Sequence, residues 1–244
     1  MAKSAVVSGA SSGIGAATVR ALCADGWEVL AGARRTDRLE QLAAETGCSW
    51  KRLDVTDQPS VDTFCDGIAT LNLLVNNAGG AKGFGPVAEA NDEHWRWMFE
   101  VNVLGVERMT RVLLPALRAS GDGHVITIGS IAGHEAYEGG AGYNAAKFGA
   151  RAVMEALRLE LFGEPVRVTE IAPGLVSGAE FSLVRFDGDE QRAAKVYEGT
   201  TPLQVEDVAA CVAFAANRPS HVNIDLMIVK PREQPRATKV LRRG

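Results

Sequence analysis

Three side chains suited to proton transfer fall close together in the second half of the chain. Tyr143 and Lys147 are four residues apart, and Ser130 lies thirteen residues before Tyr143. On a helix, residues at positions i and i+4 share one face, so the phenol and the ammonium are expected to be neighbours. A Y-x-x-x-K pair alone is also common on solvated helix faces, so this interpretation needs support from elsewhere in the chain.

The pKa of the tyrosine decides whether it can act as a base. A free phenol titrates near pH 10. An ammonium about 4 Å away contributes on the order of 4 kcal/mol at an effective dielectric of 20, or roughly three pKa units. We therefore expect Lys147 to lower the pKa of Tyr143 into the range of general acid–base catalysis, while Ser130 bonds the substrate oxygen. Asn102 is expected near the same strand ends, where it can hold a water that relays protons from Lys147.

A glycine-rich turn near the start of the chain has the features of a dinucleotide site. It follows a short apolar run and opens a helical pattern, with the spacing G-x-x-x-G-x-G. Glycines let the backbone approach a pyrophosphate, and a helix N-terminus offers free N–H groups and a positive dipole end. The predicted contacts are Gly9, Ser11, Ser12, Gly13, Ile14 and Gly15. With the proton-transfer group, this turn indicates hydride transfer between a nicotinamide and a carbonyl or alcohol.

The end of the second predicted strand indicates which nicotinamide cofactor binds. Arg34 and Arg35 stand there, and positions 30–35 contain no Asp or Glu. NAD sites place a carboxylate here for the ribose 2′-hydroxyl, whereas NADP sites use arginine beside the 2′-phosphate. Because a guanidinium pairs well with phosphate, the sequence predicts NADP. The alternative is a helix entrance that is merely basic.

Further cofactor contacts are expected where other predicted strands end. Asp54 follows the third strand and is placed to bond the adenine amino group. Small residues after the fourth and sixth strands let the ribose and nicotinamide lie against backbone. The expected contacts are Asp54, Val55, Asn76, Asn77, Ala78, Gly79, Pro173, Gly174, Val176 and Ser177, together with Tyr143 and Lys147. For Asn76, a side chain that only ties neighbouring strands together is a second interpretation.

Composition and charge exclude several classes of protein. The 244 residues are 46% apolar and 23% charged with a net charge of −4, so the chain can bury a full core and has no broad attraction to nucleic acid or membranes. The four cysteines form no C-x-x-C pair and the four histidines have no ligand spacing, so no metal site is expected. The chain shows no leader pattern or membrane-length apolar run, and a cytoplasmic location is expected.

Short β-branched runs alternate with longer amphipathic segments along the chain. This predicts one α/β domain over residues 1–230, a doubly wound parallel sheet (Rossmann fold) with helices on both faces. The expected strands are Ala5–Ser8, Glu28–Ala33, Ser49–Leu53, Leu71–Val75, Val125–Ile128, Arg167–Ile171 and Asp225–Val229. The expected helices lie near 14–25, 37–46, 58–69, 92–118, 142–163 and 205–217.

Two segments depart from this alternation. Residues 175–203 follow a strand's carboxyl end and are expected to lie over the ligand crevice as a substrate lid. In the lid, Arg185 is a candidate to bind a substrate carboxylate, or else a surface partner of Asp187 or Glu180. The C-terminal tail, residues 231–244, holds two prolines and five basic residues and is expected to be solvated or loosely docked.

Taken in order, these residues resemble the single-domain short-chain dehydrogenases/reductases over essentially the whole chain. The shared set is Gly9–Gly15, Asp54, Asn76–Gly79, Asn102, Ser130, Tyr143, Lys147 and Pro173-Gly174. The resemblance implies a general base at Tyr143, a ribose-binding Lys147 and a substrate-polarising Ser130. It also implies a proton relay at Asn102, and the double arginine resembles NADP-dependent members.

Segments 170–186 and 221–224 are similar to the serine/3-hydroxy acid dehydrogenase subgroup. That subgroup oxidises the β-hydroxyl of serine and related acids, and its members are tetramers. One position departs from the subgroup: Ala179 stands where a threonine usually bonds the nicotinamide carboxamide. Ser177, Ser182 or backbone N–H groups are expected to take over that role.

Other functions and the state of assembly stay open on the sequence. A reductase of uncharged ketones or aldehydes would select its substrates with apolar lid residues, namely Leu175, Phe181, Leu183 and Phe186. A non-catalytic NADP-binding sensor is the alternative outside enzymology. The segments 101–118 and 142–163 carry apolar residues on more than one face, which predicts a homo-oligomer, either a dimer or a tetramer.

Overall fold

The computed structural model describes residues 2–243, and this part of the chain contains a sheet of seven parallel strands. The strands are β1 (Ser4–Ser8), β2 (Glu28–Ala33), β3 (Ser49–Arg52), β4 (Leu73–Asn76), β5 (Gly123–Ile128), β6 (Val166–Pro173) and β7 (Leu226–Val229). Their order across the sheet is β3-β2-β1-β4-β5-β6-β7. The chain starts in the middle, winds outward to β3 and then returns to β4, so the prediction of a doubly wound sheet is confirmed.

Burial along the strands follows their place in the sheet. All residues of β4, β5 and β6 are buried, whereas β3 and β7 at the two edges are largely exposed. Strands covered on both faces read as nearly continuous apolar runs, which is why Leu73–Val75 was recognisable in the sequence. Neighbouring residues of β1 point to opposite faces: Val7 packs into one core and Val6 into the other.

Helices cover both faces of the sheet. Those longer than six residues are α1 (Gly13–Ala24), α2 (Thr36–Thr46), α3 (Gln58–Cys65), α4 (Asp92–Phe99), α5 (Gly105–Ala119), α6 (Ala141–Glu160) and α9 (Val205–Ala216), with the short α7 (Phe181–Arg185) and α8 (Glu190–Lys195) before α9. The helices α1, α2 and α9 pack on one face, and α3, α5 and α6 pack on the other. Within residues 2–243, no helix combines the length and apolar character needed to cross a bilayer.

The helical pattern at 92–118 is not one continuous helix. A π-helical segment, Glu100–Leu104, separates α4 from α5. The amide of Asn102 in this segment donates to the carbonyl oxygens of Met98 and Gly80, 2.8 Å away in each case. Periodicity alone does not reveal a π-turn, because it adds one residue to a helix without changing the residue types.

The C-terminal tail, expected to be solvated or loosely docked, makes specific contacts with the rest of the chain. The guanidinium of Arg242 donates to backbone carbonyls at the end of α8, including that of Val196 at 3.1 Å. Glu233 is buried and pairs with Arg243 at 2.9 Å, and it accepts the backbone N–H of Thr201 at 3.0 Å. The basic residues therefore bind carbonyls and a carboxylate of this chain, and those partners are set by tertiary structure.

Candidate functional site

A cavity of about 1290 Å³ opens where the parallel strands end. The turn after β1 and the ends of β2, β4, β5 and β6 form its floor, while residues from 175–203 and from the tail contribute to its roof. Open α/β sheets bind ligands at the carboxyl ends of the strands, beside the point where the strand order reverses. The cavity lies at that place.

The glycine turn has the close approaches that require glycine. Gly9 has a φ of 67°, and a Cβ added there would lie 2.8 Å from the Cα of Ala78. Helix α1 begins at Gly13, and within the described residues the Ser12 side chain caps none of its N–H groups. The turn therefore leaves a cradle of backbone and unpaired N–H donors at the positive end of α1, which fits a pyrophosphate.

Most of the predicted cofactor residues line the cavity. These are Gly9, Ser11, Ser12, Gly13, Ile14, Arg34, Arg35, Asp54, Val55, Asn77, Ala78, Gly79, Tyr143, Lys147, Pro173, Gly174 and Val176. Gly15, Asn76 and Ser177 instead lie behind the wall. Asn76 is buried and donates to Thr110 Oγ1 at 3.0 Å, and Ser177 donates its N–H to the Leu203 carbonyl at 2.8 Å. Their contacts hold elements of the wall together.

At the end of β2, a carboxylate from the lid segment binds the arginines. Glu180 accepts ion pairs from Arg35 Nη1 and Arg38 Nη1, each at 2.8 Å. Arg35 also donates through Nη2 to the hydroxyls of Ser11 at 3.1 Å and Ser12 at 2.9 Å. Burial alone would raise the pKa of Glu180, but the hydrogen bonds from the two arginines outweigh it and hold that pKa below its usual range. This part of the site is built to bind an anion.

Asp54 lines the cavity beside this anion site. Its Oδ1 accepts the backbone N–H of Thr56 at 3.0 Å and the Thr56 hydroxyl at 2.7 Å. Partial burial acts to raise the pKa of Asp54, but these bonds and the nearby Arg34 lower it below its usual value. Asp54 is therefore a carboxylate acceptor held in place at the cavity, at the position where the sequence predicted a contact with adenine.

The pKa of Tyr143 is raised, whereas the sequence predicted that it would be lowered. Burial and the neighbouring Tyr137 raise the pKa of Tyr143 above that of a free phenol, against smaller lowering effects of Ser130 and Arg185. Burial also lowers the pKa of Lys147 to about 8. Attraction between the ammonium and the phenolate lowers the pKa of a tyrosine, but the cost of burying a charge is larger here. With its pKa raised, the phenol keeps its proton at neutral pH.

Lys147 is held in place by backbone and influenced by a buried carboxylate. Its Nζ donates to the Ile128 carbonyl at 2.9 Å, at the end of β5. Glu170, buried on β6, raises the pKa of Lys147 against the larger effect of burial. His134 Nε2 lies 3.1 Å from Glu170 Oε1, and Arg151 Nη1 lies 3.1 Å from His134 Nδ1. Because a guanidinium only donates, His134 must accept at Nδ1 and donate to Glu170.

Asn102 has its side chain committed to the neighbouring loop. Besides its two donor contacts, Oδ1 accepts the N–H of Gly80 at 3.2 Å. The residue is 1% exposed and lies behind the cavity wall. Its side chain therefore fixes the loop after β4 and does not face the cavity. The sequence predicted that Asn102 holds a water that relays protons. With the side chain occupied, such a proton relay would have to use the backbone groups of Asn102.

Arg185 is buried in the cavity wall, next to Tyr143. Its Nη1 donates to Tyr137 Oη at 3.2 Å and its Nε to the Gly83 carbonyl at 3.3 Å. The guanidinium carbon lies 4.8 Å from the Phe84 ring centre and 5.8 Å from that of Tyr143. Among residues 2–243, Nη2 is buried with no hydrogen-bond partner and no carboxylate pairs with this arginine. The proposed surface pairs with Asp187 or Glu180 are absent from these contacts.

Because Ala179 stands where a threonine was expected, other groups would have to bind the nicotinamide carboxamide, and the backbone of Val176 is available for this. Ser177 and Ser182, the two expected replacements for the missing threonine, are occupied: Ser182 Oγ lies 2.8 Å from Tyr197 Oη. In the parallel bridge between Val176 and Leu203, the ladder bonds use the N–H of Ser177 and the carbonyl of Leu175. The N–H and C=O of Val176 therefore point to the other side, where this residue lines the cavity.

Comparison with known proteins agrees with this geometry. The family model for short chain dehydrogenase matches residues 3–185. The chain belongs to the short-chain dehydrogenase family. An uncharacterized oxidoreductase of Mycobacterium tuberculosis is 55% identical over 235 residues, covering 96% of this chain and 93% of that protein. The NADP-dependent 3-hydroxy acid dehydrogenase YdfG of Salmonella typhi is 40% identical over 232 residues, covering 93% of this chain and 94% of that one.

Solved structures of the family also superpose on the whole chain. The closed form of a serine dehydrogenase complexed with NADP+ matches with a TM-score of 0.93 at 38% identity, covering 99% of this chain and 100% of that one. An alcohol dehydrogenase from Thermococcus sibiricus complexed with 5-hydroxy-NADP matches with a TM-score of 0.82 at 30% identity, covering 96% and 98%. This short-chain dehydrogenase is therefore an oxidoreductase with the family's fold.

Some residues of the site were missed in the sequence. Arg38 lies three residues after Arg35 on the first turn of α2, and that i, i+3 spacing was the available signal. Glu180 gave no signal as an arginine partner at this end, since it is more than 140 residues away. Phe84 and Tyr137, which surround Arg185, come from loops without regular spacing.

Proposed function

We propose that this short-chain dehydrogenase transfers a hydride between NADP(H) and a small 3-hydroxy acid or its oxo form. The observation that carries the proposal is Arg185, a buried guanidinium beside Tyr143 with an unpartnered Nη2 among the described residues. A buried cation without a carboxylate is costly, and a substrate carboxylate would supply its missing partner. The names of the hydroxy acid and serine dehydrogenases among its relatives support the same substrate class.

The cofactor assignment rests on the two ends of the cavity. Arg34 and Arg35 line its adenosine end, and Arg35 already binds a carboxylate there, which supports recognition of the 2′-phosphate of NADP. The turn at Gly9–Gly13 would hold the pyrophosphate, and the free N–H and C=O of Val176 would bind the carboxamide. When bound, the nicotinamide supplies or accepts the hydride.

The proton moves through Tyr143 in either direction. In reduction, Tyr143 Oη donates its proton to the carbonyl oxygen while that carbon gains the hydride, giving an alcohol and a phenolate. In oxidation, the phenolate takes the hydroxyl proton as the carbon loses the hydride. Ser130 would bond the substrate oxygen, and Lys147 would stabilise the phenolate and bind the ribose. The raised pKa of Tyr143 keeps the proton on the phenol, which suits the reductive direction.

Replacing Arg185 with Ala tests the substrate assignment. A 3-hydroxy acid and its neutral amide are assayed in parallel with NADP+. We expect kcat/KM to fall at least ~30-fold on the acid, because a buried charge pair is lost, and only a few-fold on the amide. Arg192→Ala is the matched control, since Arg192 also lines the cavity but is exposed and stacks on Phe186 at 4.5 Å. Equal losses on acid and amide would remove the carboxylate contact.

A second candidate is the reduction of uncharged ketones or aldehydes. The Phe181 ring meets Tyr143 edge-on, with 5.3 Å between ring centres, and Leu175 and Phe186 also line the cavity. These apolar walls suit a neutral substrate. Adding neutral ketones and aldehydes with NADPH to this assay tests the second candidate. It is favoured if the wild type does not use the acid and if Arg185→Ala keeps full activity on the neutral carbonyls.

We also propose that the enzyme is a homo-oligomer, a dimer or a tetramer, in the cytoplasm. On and just after α6, Leu159 and Phe162 are 79% and 92% exposed, more than expected for apolar side chains of a monomer. The four cysteines are free thiols in the described structure, which suits a reducing compartment. Light scattering on the purified protein would give the mass of the assembly, and cell fractionation would give its location.

A further inference from the structure

Glu180 occupies the anion site at the end of β2. Its two carboxylate oxygens are shared between Arg35 and Arg38, each pair at 2.8 Å, and Ser12 Oγ donates to it at 3.2 Å. Close packing brings this lid residue to the turn: a Cβ added at Gly13 would lie 3.0 Å from the Cβ of Ala179. A carboxylate held by two guanidinium groups and a hydroxyl stands in for a phosphate.

Each of the three side-chain nitrogens of Arg35 has a partner in this arrangement. Its Nη1 pairs with Glu180, while Nε and Nη2 donate to the serine hydroxyls of the turn. Arg38 Nη1 is bound to the other oxygen of Glu180. A 2′-phosphate that approached these arginines would meet a carboxylate of its own charge on the donors it needs. A phosphate bound by the same nitrogens would therefore compete with Glu180 for them.

We propose that Glu180 is a cofactor-selecting residue, a carboxylate that competes with the 2′-phosphate of NADP for Arg35 and Arg38. This inference rests on the proposed function, in which Arg35 binds that phosphate. A phosphate monoester carries up to two negative charges and three acceptor oxygens, so it displaces a single carboxylate, but at reduced affinity. NAD has no 2′-phosphate and does not require these donors.

Displacement of Glu180 also connects the two ends of the cavity. Glu180 directly precedes α7, which begins at Phe181 and ends at Arg185. Phe181 packs against the ring of Tyr143, and Arg185 contacts the same ring. Loss of the carboxylate pairs at the adenosine end would therefore remove one of the contacts that hold the start of the helix carrying Arg185.

The test is calorimetric binding of adenosine 2′,5′-bisphosphate and of AMP, which differ in the 2′-phosphate and lack nicotinamide. Glu180→Gln keeps the side-chain shape and removes its charge. We expect it to bind the bisphosphate about 3- to 10-fold more tightly than the wild type, because one repulsive charge and one competitor are removed in a partly screened site. Affinity for AMP should change less than about twofold.

Two further variants separate the inference from the function it rests on. Glu190→Gln removes an exposed lid charge at the start of α8 and should change neither affinity. Arg35→Ala should weaken the bisphosphate at least ~10-fold and leave AMP unchanged. If Arg35→Ala behaves so but Glu180→Gln binds the bisphosphate equally or less tightly, Glu180 is not a competitor and the proposed phosphate site stands. If Arg35→Ala has no effect on the bisphosphate, the phosphate site and the inference both fail.

Discussion

The two ends of the cavity handle charge in opposite ways. At the nicotinamide end, Lys147, Tyr143 and Arg185 are 7%, 8% and 9% exposed. At the adenosine end, the side chains of Arg35, Arg38 and Glu180 are 40%, 42% and 35% exposed. Burial lowers the pKa of Lys147 to about 8 and leaves one nitrogen of Arg185 without a described partner. At the exposed end, the one carboxylate of Glu180 is shared between the two guanidinium groups and offsets part of their charge.

This difference in burial suits the two ends of the cavity to two tasks, proton transfer at the buried end and selection of the cofactor at the exposed end. A charge in a dry site acts strongly on its neighbours, so proton transfer belongs at the buried end. A charge in contact with solvent is screened and can exchange partners cheaply, so the choice between phosphate and carboxylate belongs at the exposed end. Changes at the buried end should therefore have large effects on turnover, and changes at the exposed end should have moderate effects on binding.

The largest expected effect comes from Tyr143→Phe. Removing the hydroxyl removes the proton donor but keeps the buried ring, so kcat should fall about 10³-fold. Affinity for NADPH, measured by its fluorescence, should stay within about threefold of the wild type. Unchanged turnover in this variant would contradict the assignment of proton transfer to the buried end. Tyr143 would then have no catalytic role, as in the alternative of a non-catalytic NADP-binding sensor.

A moderate effect is expected from salt. Raising the ionic strength from about 0.05 to 0.5 M shortens the screening length, so the Kd for NADP+ should rise several-fold while the Kd for NAD+ changes little. The buried Arg185 is screened less, so KM for a hydroxy acid at saturating NADP+ should rise less than the Kd for NADP+. A larger rise in that KM would contradict the contrast between the two ends.

The smallest effect is expected from Glu170→Gln. Glu170 raises the pKa of Lys147, so removing its charge should lower that pKa below about 8. The Lys147 ammonium then loses its proton at lower pH, and the limb of the kcat/KM profile that follows it should move to lower pH by less than about one unit. The control is Glu155→Gln, which removes an exposed carboxylate on α6, the helix that carries Lys147. It should leave the pH profile unchanged. A shift to higher pH would contradict the role given to Glu170.

Features coded by local pattern could be predicted from the sequence. The alternation of strands and helices gave the doubly wound sheet, and the bounds of β2 match those observed. The glycine turn and the Tyr143/Lys147 pair were recognisable because the chemistry fixes both residue type and spacing. Both lie at the cavity, as expected from their places after β1 and on α6.

Features that depend on burial or distant partners could not be predicted. The sign of the Tyr143 pKa shift required knowing that the phenol is buried, which four-residue spacing does not reveal. Glu180 became an arginine partner only through the packing of Ala179 on Gly13. The contacts of the tail could not be predicted for the same reason, since the partners of Arg242 are backbone carbonyls at the end of α8.

The docked tail helps to close the cavity, whose floor is formed by earlier segments of the chain. The cavity floor is made of segments between β1 and β6, which pack without help from the tail. Its roof needs Gln234, which accepts the Leu175 N–H at 2.7 Å, and Arg242, which holds the end of α8. The floor that holds the nucleotide therefore does not depend on the tail, whereas the cavity is closed only when residues 231–243 have docked.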